Sequence, residues 1–193
     1  YEWGAVAYLA NSKYGRCTNG SCTEVTTNNC SSHITGIGAD SVSASYSSST
    51  CTKAVNKYDG AKGLLASTTG NITGIYDMSG GNDEFVMGNM SDASGSYTFY
   101  PSSSGFTMIW YIASTSKYVI PYAYGRNTSN QTAYNRGRLG DATGEVVLST
   151  GGSGGGWYSD HAYFLCSTTS WFTRGGYIMS GSGSGLFEFS YSS

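Results

Sequence analysis

The stretch that decides the fold is "GNITGIYDMSGGNDEFVMGN", residues 70–89, which places acidic side chains among glycines and aromatics. It holds Asp77, Asp83 and Glu84, three of the twelve acidic residues in the chain. Paired carboxylates can act as general acid and base or can ligate calcium. Asp83 and Glu84 are adjacent, however, so in an extended segment they point to opposite faces, and the alternating Asp/Asn pattern of a calcium loop is absent. Asp77, followed by Met-Ser-Gly, is typical of a turn-fixing residue, so the stretch indicates architecture rather than catalysis.

The composition indicates one folded, weakly charged domain over residues 1–193. Charged residues make up 11% of the chain, whereas 17 Tyr, 7 Phe and 4 Trp supply enough aromatic surface for a core. The net charge of -2 gives no basic footprint for nucleic acid, and no apolar run approaches the roughly 20 residues of a membrane span. We expect neither nucleic acid nor membrane contact within this chain. Its start at Tyr-Glu-Trp predicts a fragment that lacks an upstream anchor.

The cysteines predict disulfides and an extracellular protein. A zinc site is the alternative, but Cys17 and Cys22 lack the tight spacing of a zinc knuckle and His33 is a lone imidazole. Disulfides suit a chain rich in Tyr, Ser, Thr and Asn and poor in Lys. Cys166 is expected to be a buried small hydrophobe. Four cysteines allow three pairings, of which we prefer Cys17–Cys22 with Cys30–Cys51. This pairing makes residues 17–51 a disulfide-pinned surface excursion.

Periodicity predicts an irregular, loop-rich α+β domain with short antiparallel strands and one or two short helices. Apolar residues at helical spacing predict a helix over about residues 2–12, and residues 53–60 could add one or two turns. The segments 105–114, 117–125 and 144–150 are candidate strands, and "GGSGGG", residues 151–156, is typical of a loop. The final "GLFEFSYS", residues 185–192, predicts a half-buried strand. On it, Leu186, Glu188 and Ser190 share one face and Phe187, Phe189 and Tyr191 the other.

The quoted stretch resembles a known family. "NITGIYDMSGGNDEFVMG", residues 71–88, is similar to the Asn-x-x-Gly-Leu-Tyr-Asp-Met signature of the formylglycine-generating-enzyme branch of the C-type lectin fold. "WFTRGGY" (Trp171 to Tyr177) resembles that branch's Arg-Gly-Gly, and "EWGAVAYL" (residues 2–9) resembles its Trp-x-x-Ala-x-x-Tyr helix. The resemblance implies a C-type lectin-like fold for the chain.

Departures from that family point away from its enzymatic activity. The catalytic members carry paired cysteines after Arg-Gly-Gly, where this chain reads "YIMSGSGSGLFEF". Gly81 replaces the Asn that supports a calcium site in the family, while Glu84 is retained. We therefore expect no catalytic residue, no metal ligand and no cofactor, calcium being the one ion that the resemblance brings into consideration.

A second resemblance concerns the C-terminal segment. Residues 157–193 look like the variable region of target proteins of diversity-generating retroelements, which use the same lectin fold. The whole chain is also similar to Firmicute surface proteins that carry such a domain behind a prepilin-like N-terminus. The resemblance implies a cell-surface or virion-surface protein whose C-terminal segment is diversified.

A binding function fits the abundance of tyrosine, serine and glycine. Tyr gives large amphipathic contact area at low entropy cost, and Ser and Gly give adaptable surroundings, as in antibody paratopes. The ligand is expected to be a protein or glycan on a cell or phage surface. The predicted binding residues are Trp157, Tyr158, Asp160, His161, Tyr163, Tyr177, Ser180, Ser182, Ser184, Glu188 and Ser190.

Each of these residues also has a plain structural interpretation. Core packing would account for Trp157 and Tyr163, and a solvated outer face of the last strand would account for Glu188 and Ser190. His161 has no nucleophile at a recognisable spacing to make it a catalytic base. Two other functions stay open: a structural subunit of a pilus or phage particle, and, with less support, an oxidoreductase of the formylglycine-generating type.

Overall fold

A computed structural model describes residues 2–44, 46, 56–87, 89–90, 121–122, 142, 153–155, 157–163 and 171–192. Its elements are helix α1 (Glu2–Ala10), strands β1 (Cys17–Thr18), β2 (Ser21–Cys22), β3 (Glu84–Met87), β4 (Asn89–Met90), β5 (Pro121–Tyr122), β6 (Ser153–Gly155), β7 (His161–Tyr163), β8 (Trp171–Gly175) and β9 (Gly185–Ser192), and 3-10 turns at Gly63–Ala66, Trp157–Ser159 and Gly181–Gly183. The expected mixed α+β, loop-rich architecture is confirmed. The predicted strand at 144–150 lies outside the described residues.

The main sheet has five strands in the order β3-β8-β9-β7-β6. Its neighbours are antiparallel except for β7 and β9, which are parallel through Ala162 and Phe189, and the small β4–β5 pair is also parallel. The expectation of antiparallel strands therefore holds for most pairs but not for all. Within the described parts of the chain, no helix is long and apolar enough to cross a bilayer.

Helix α1 forms where the apolar spacing predicts it and packs on the last strand. Ala7 and Ala10 are fully buried, the Tyr8 ring lies edge-on to Phe187 at 6.0 Å, and the Trp3 indole N–H donates to the Leu186 carbonyl at 2.7 Å. The first helix and the last strand are thus joined through the core.

The Arg-Gly-Gly segment meets the other two motif segments at one point. The Arg174 guanidinium lies 5.5 Å from the Trp3 ring centre and 5.7 Å from that of Phe189, a cation–π arrangement. Gly175 has φ of +80°, and a side chain there would press on Trp3 and on the Met78 carbonyl. Position 175 therefore requires glycine, both because its backbone is left-handed and because there is no room for a side chain.

Asn28 and Asp77 tie the interior of the N-terminal half to the motif stretch. The Asn28 amide donates to Asp77 Oδ1 at 2.8 Å and to the Ile34 carbonyl at 2.8 Å. The Gly36 N–H donates to Asp77 Oδ2, also at 2.8 Å. Asp77 adopts φ of +60°, a left-handed conformation that Asp tolerates better than most residues. These contacts agree with the interpretation of Asp77 as a turn-fixing residue.

The prediction that residues 17–51 form a surface excursion holds for the start of the segment but not for its middle. Its start is the expected hairpin, in which Cys17 pairs with Cys22 in register and by a disulfide. Cys30 is disulfide-bonded as well, and its predicted partner Cys51 lies outside the described residues. Residues 24–30 are all buried, however. They run through the interior because their backbone groups bond to other parts of the chain rather than to water: Thr26 to Leu65, Thr27 to Ala39, and Asn28 to Ser79 and Gly81.

The last strand forms over residues 185–192 as predicted, but it is not half-buried. Its register against β8 moves from Arg174–Phe189 to Gly175–Gly185, so residues 186–188 face no partner on β8. Leu186, Phe187 and Glu188 are all buried. Buried and exposed side chains do not alternate along this strand, because the bulge changes the direction of its side chains and both of its sides are buried.

The glycine-rich segment 151–156 also differs from its prediction as a loop. Ser153–Gly155 forms the edge strand β6, which pairs with β7 from Ser153–Tyr163 to Gly155–His161. Glycine weakens a strand but leaves its backbone hydrogen-bonding groups intact. Pairing with β7 therefore overrides the local preference for a loop.

We predict that Asp77→Asn lowers the free energy of unfolding by about 1–3 kcal/mol. Asn retains tolerance for the left-handed backbone, but one carboxylate oxygen becomes an NH2 group that faces donors on Asn28 and Gly36. Chemical denaturation measures the loss. Asp59→Asn, at an exposed position, is the matched control and should change stability by less than about 0.5 kcal/mol. Equal effects of the two substitutions would contradict the assigned role of Asp77.

Candidate functional site

The predicted binding residues divide into three groups by exposure. Trp157, His161, Tyr177 and Ser182 are exposed, with Trp157 at 45% and Tyr177 at 46%. Tyr158, Tyr163, Ser180 and Ser190 are partly exposed. Asp160, Ser184 and Glu188 are buried. Met179, which the sequence did not single out, is 64% exposed between Tyr177 and Ser182.

The turn Trp157–Ser159 is held in an uncommon conformation. Tyr158 and Ser159 have φ of +62° and +71°, which costs non-glycine residues roughly 1 kcal/mol each. The Trp157 ring packs edge-on against Phe187 at 5.0 Å, and the Tyr158 hydroxyl donates to Asn11 Oδ1 at 2.6 Å. Tyr158 is thus an anchor of the turn, and Trp157 combines a core contact with an exposed surface.

The connection between β8 and β9, residues 177–184, folds on itself. The Tyr177 N–H donates to Ser180 Oγ at 3.1 Å, and the Ser184 hydroxyl donates back to the Tyr177 carbonyl at 3.3 Å. The Ile178 N–H donates to the Gly81 carbonyl at 3.1 Å, which joins this loop to the motif stretch. Ser180 and Ser184 therefore shape the loop, while Tyr177, Met179 and Ser182 extend from it.

The loop lies directly against β7. Any side chain at position 183 would overlap the imidazole of His161, so the loop backbone rests on that ring. His161 also packs edge-on against Tyr163 at 5.8 Å. We call the resulting surface the candidate face. It consists of Trp157, His161, Tyr177, Met179 and Ser182.

The prediction that Glu188 points outward is wrong, because its side chain is 3% exposed. Its Oε2 accepts the Gly176 N–H at 3.1 Å, so it supports the turn after Arg174. Burial raises the pKa of Glu188 to about 8, and nearby Arg174 opposes that rise. Asp160 and Ser184 are likewise inside, so none of these three residues belongs to the exposed surface.

Glu24 is the site residue that sequence reasoning missed. It is 6% exposed and lies beside Asp160, which is fully buried. Burial, together with the neighbouring carboxyl, raises the pKa of Glu24, and burial also raises that of Asp160. Nothing in "CTEVTT" distinguishes Glu24 from a solvated acid, because its partner is more than a hundred residues away.

Asp83 and Glu84 line a small cleft of about 160 Å³ beside Asp77 and His33. Burial, and to a lesser degree Asp77, raises the pKa of Glu84. Across the portions of the chain that the structure describes, no three His, Cys, Asp or Glu side chains are grouped to hold a metal ion.

Comparisons with known proteins give no relative: neither a protein-family model, nor a curated protein, nor a solved structure matches the chain. The candidate face must therefore be interpreted from its own chemistry. It offers two aromatic rings, an imidazole, a thioether and the hydroxyls of Tyr177 and Ser182. These groups provide apolar contact area with a few hydrogen-bonding atoms.

We predict that Glu188→Gln flattens the dependence of stability on pH. The unfolded chain releases this proton near the usual pKa of 4.5, whereas the folded chain keeps it to about 8. Stability from this group is therefore full below pH 4.5 and is lost as the pH rises toward 8. Gln keeps an acceptor for the Gly176 N–H and carries no charge, so the slope should fall by up to about 1.4 kcal/mol per pH unit.

Urea denaturation at a series of pH values measures this slope. Glu2→Gln, at an exposed position of α1, is the matched control and should leave the slope unchanged. A Glu188→Gln profile parallel to that of the wild type would show that the buried carboxyl does not titrate in this range.

Proposed function

We propose that this protein is a non-enzymatic, surface-displayed ligand-binding domain of C-type lectin-like fold. It would bind a protein or glycan on a cell or phage surface through the candidate face. The observation that carries the proposal is the exposure of Trp157 on the turn 157–159, of His161 on β7, and of Tyr177 and Met179 on the loop 177–184. Exposed aromatic clusters of this kind are typical of interaction sites.

The support beneath the face favours binding by a preformed surface. His161 stands on β7, and the loop 177–184 is closed by its own hydrogen bonds and tied to Gly81. A surface ordered before the ligand arrives loses less conformational entropy on binding. Tyr and Trp add contact area with few rotatable bonds.

The placement of the motif segments supports the proposed fold family. Trp3, Met78 and Gly175 come from the three segments on which the lectin-like resemblance depends, and they meet at one contact. This is the arrangement expected if these motifs are retained as architecture while the family's catalytic cysteines are absent from residues 177–189.

We predict that the double variant His161→Ala/Tyr177→Ala loses binding and keeps its fold. Ligands would first be selected from a glycan array and from a phage-displayed peptide library. Removal of two exposed rings should weaken a selected ligand by at least about tenfold, or about 1.4 kcal/mol. The melting temperature should stay near that of the wild type. Biolayer interferometry and thermal denaturation measure the two quantities.

The matched control is Tyr14→Ala/Ile72→Ala, which removes two exposed apolar side chains elsewhere (71% and 56% exposed). It should leave binding unchanged. Recovery of no ligand, or an equal loss in the control, would contradict the proposal. Ordered self-association that the His161/Tyr177 variant abolishes would instead favour a structural subunit.

We further predict where sibling copies of this protein differ, if the C-terminal segment is diversified. Differences should concentrate at the exposed positions 157, 161, 177, 179 and 182. The buried positions 160, 183, 184, 185 and 188 should stay fixed, because changes there disturb the core. Sequencing of paralogous genes from one source checks this. Differences spread evenly over exposed and buried positions would contradict diversification of a binding face.

A further inference from the structure

The feature beneath the candidate face is a pair of buried carboxyl groups on either side of one backbone position. Glu24 and Asp160 both approach Gly185 so closely that a Cβ there would overlap Glu24 Oε1 and both oxygens of Asp160. Glycine at 185 therefore lets the two carboxyls come together across the start of β9. Both are nine-tenths or more buried.

The hydrogen bonds of this pair leave one oxygen on each side without a protein donor. Asp160 Oδ2 accepts the Phe187 N–H at 2.9 Å. Backbone hydrogen bonds from Leu186 to Glu24 and from Glu188 to Asp160 also lower the pKa of each carboxyl. Among the described residues, no N–H or O–H donates to Glu24 Oε1 or to Asp160 Oδ1. An unsatisfied buried carboxylate oxygen is costly, and two of them facing each other add repulsion. A proton bound to one of these two oxygens makes that oxygen a donor and gives the other oxygen a hydrogen bond to accept.

Charged and titratable groups surround the pair on every packed element. Arg16, after α1, lies near Glu24, and its guanidinium donates to the carbonyls of Thr23 and Ser67 at 3.1 Å each. Arg174 of β8 lies near Asp160 and donates to the Ala142 carbonyl at 3.2 Å. Tyr158 and Glu188 complete the surroundings. The charge of Arg16 opposes the rise in the pKa of Glu24, and the charge of Arg174 opposes the rise in the pKa of Asp160.

We propose that Glu24 and Asp160 share one proton in a carboxyl–carboxylate hydrogen bond, and that this proton locks the turn 157–161 onto β9. Loss of the proton at alkaline pH leaves two buried carboxylates in contact, so Asp160 moves toward water and releases the Phe187 N–H. The left-handed backbone at Tyr158 and Ser159 favours this release, since the surroundings no longer compensate its strain. Trp157 and His161 then leave their positions in the candidate face.

The burial of the pair gives the direction of the change. Desolvation raises the pKa of both carboxyls, so the shared proton persists through the acidic range and is lost as the pH rises. The lock is therefore closed in mildly acidic solution and opens in alkaline solution. The opening of the turn follows from the carboxyl pair alone, whereas its effect on binding rests on the proposed function.

Carboxyl-detected NMR on the full chain tests the lock directly. The side-chain carboxyl signals of Glu24 and Asp160 should show a shared titration well above their usual pKa range. The Phe187 amide signal should move in the same transition. Quenching of Trp157 by acrylamide, taken as the difference from Trp157→Phe, should rise at least about twofold as the pH is raised through the titration of the two carboxyl signals. Titration of both carboxyls near their ordinary pKa values would overturn the proposal.

Glu24→Gln separates a lock from a passive buried pair. The Gln amide N–H can replace the shared proton as a permanent donor to Asp160 Oδ1. Made in the Glu188→Gln background, which removes the neighbouring carboxyl that titrates near pH 8, this variant should keep the Phe187 signal and the Trp157 quenching constant across the same pH range. Glu188→Gln alone should retain the transition. Asp160→Asn serves if Glu24→Gln does not fold, and Glu2→Gln is the matched control. An alkaline transition that persists in the substituted pair would overturn the proposal.

Two further measurements test whether a proton bridges the pair and whether opening of the turn changes ligand binding. If calcium chloride shifts the Phe187 signal in the wild type and not in Glu24→Gln, a cation rather than a proton bridges the pair, and the proposal fails. If the turn opens while a selected glycan or peptide still binds through His161 and Tyr177, the lock stands and its effect on the candidate face is wrong. If the turn opens and no ligand is ever recovered, the lock stands and the proposed function fails.

Discussion

The fold depends on the hydrogen bonds that Asn28 makes inside the described N-terminal segments, which have little regular structure after helix α1. Its N–H donates to the Ser79 carbonyl at 2.7 Å, and its own carbonyl accepts the Gly81 N–H at 2.7 Å. The Gly81 carbonyl in turn accepts from Ile178 in the exposed loop. Buried backbone groups need such partners when no long helix or sheet supplies them. One interior amide therefore links the N-terminal half, the motif stretch and the loop that presents the candidate face.

Features with local causes could be predicted from the sequence. Helix α1, the Cys17–Cys22 hairpin and the extent of the last strand each follow from spacing or turn chemistry within about ten residues. The turn role of Asp77 also follows from its immediate neighbours. For the candidate face, the sequence pointed to residues 157–193, and Trp157, His161, Tyr177 and Ser182 are exposed in that segment.

Features that depend on distant pairing could not be predicted. A strict alternation of inward and outward side chains along β9 would place Glu188 on the surface. The bulge at residues 186–188 and the burial of both sides of the strand place it in the interior instead. The glycines at 154 and 155 predict a loop when only their neighbours in sequence are considered, but they form a strand because β7 pairs with them. Glu24 gains its significance only from Asp160 and Gly185, which no local pattern brings together. In each case a long-range contact overrides the local preference.

The small hairpin closed by Cys17 and Cys22 has a consequence for how the protein responds to proteolysis. Its turn, Thr18 to Ser21, is exposed, and Asn19 and Gly20 adopt left-handed conformations. Exposed loop tips of small, polar residues are the preferred sites of proteolytic cleavage, and this turn is one of them. A cut within the turn would leave the two new ends covalently joined, so helix α1 would stay attached to the segment that carries Glu24 and Asn28.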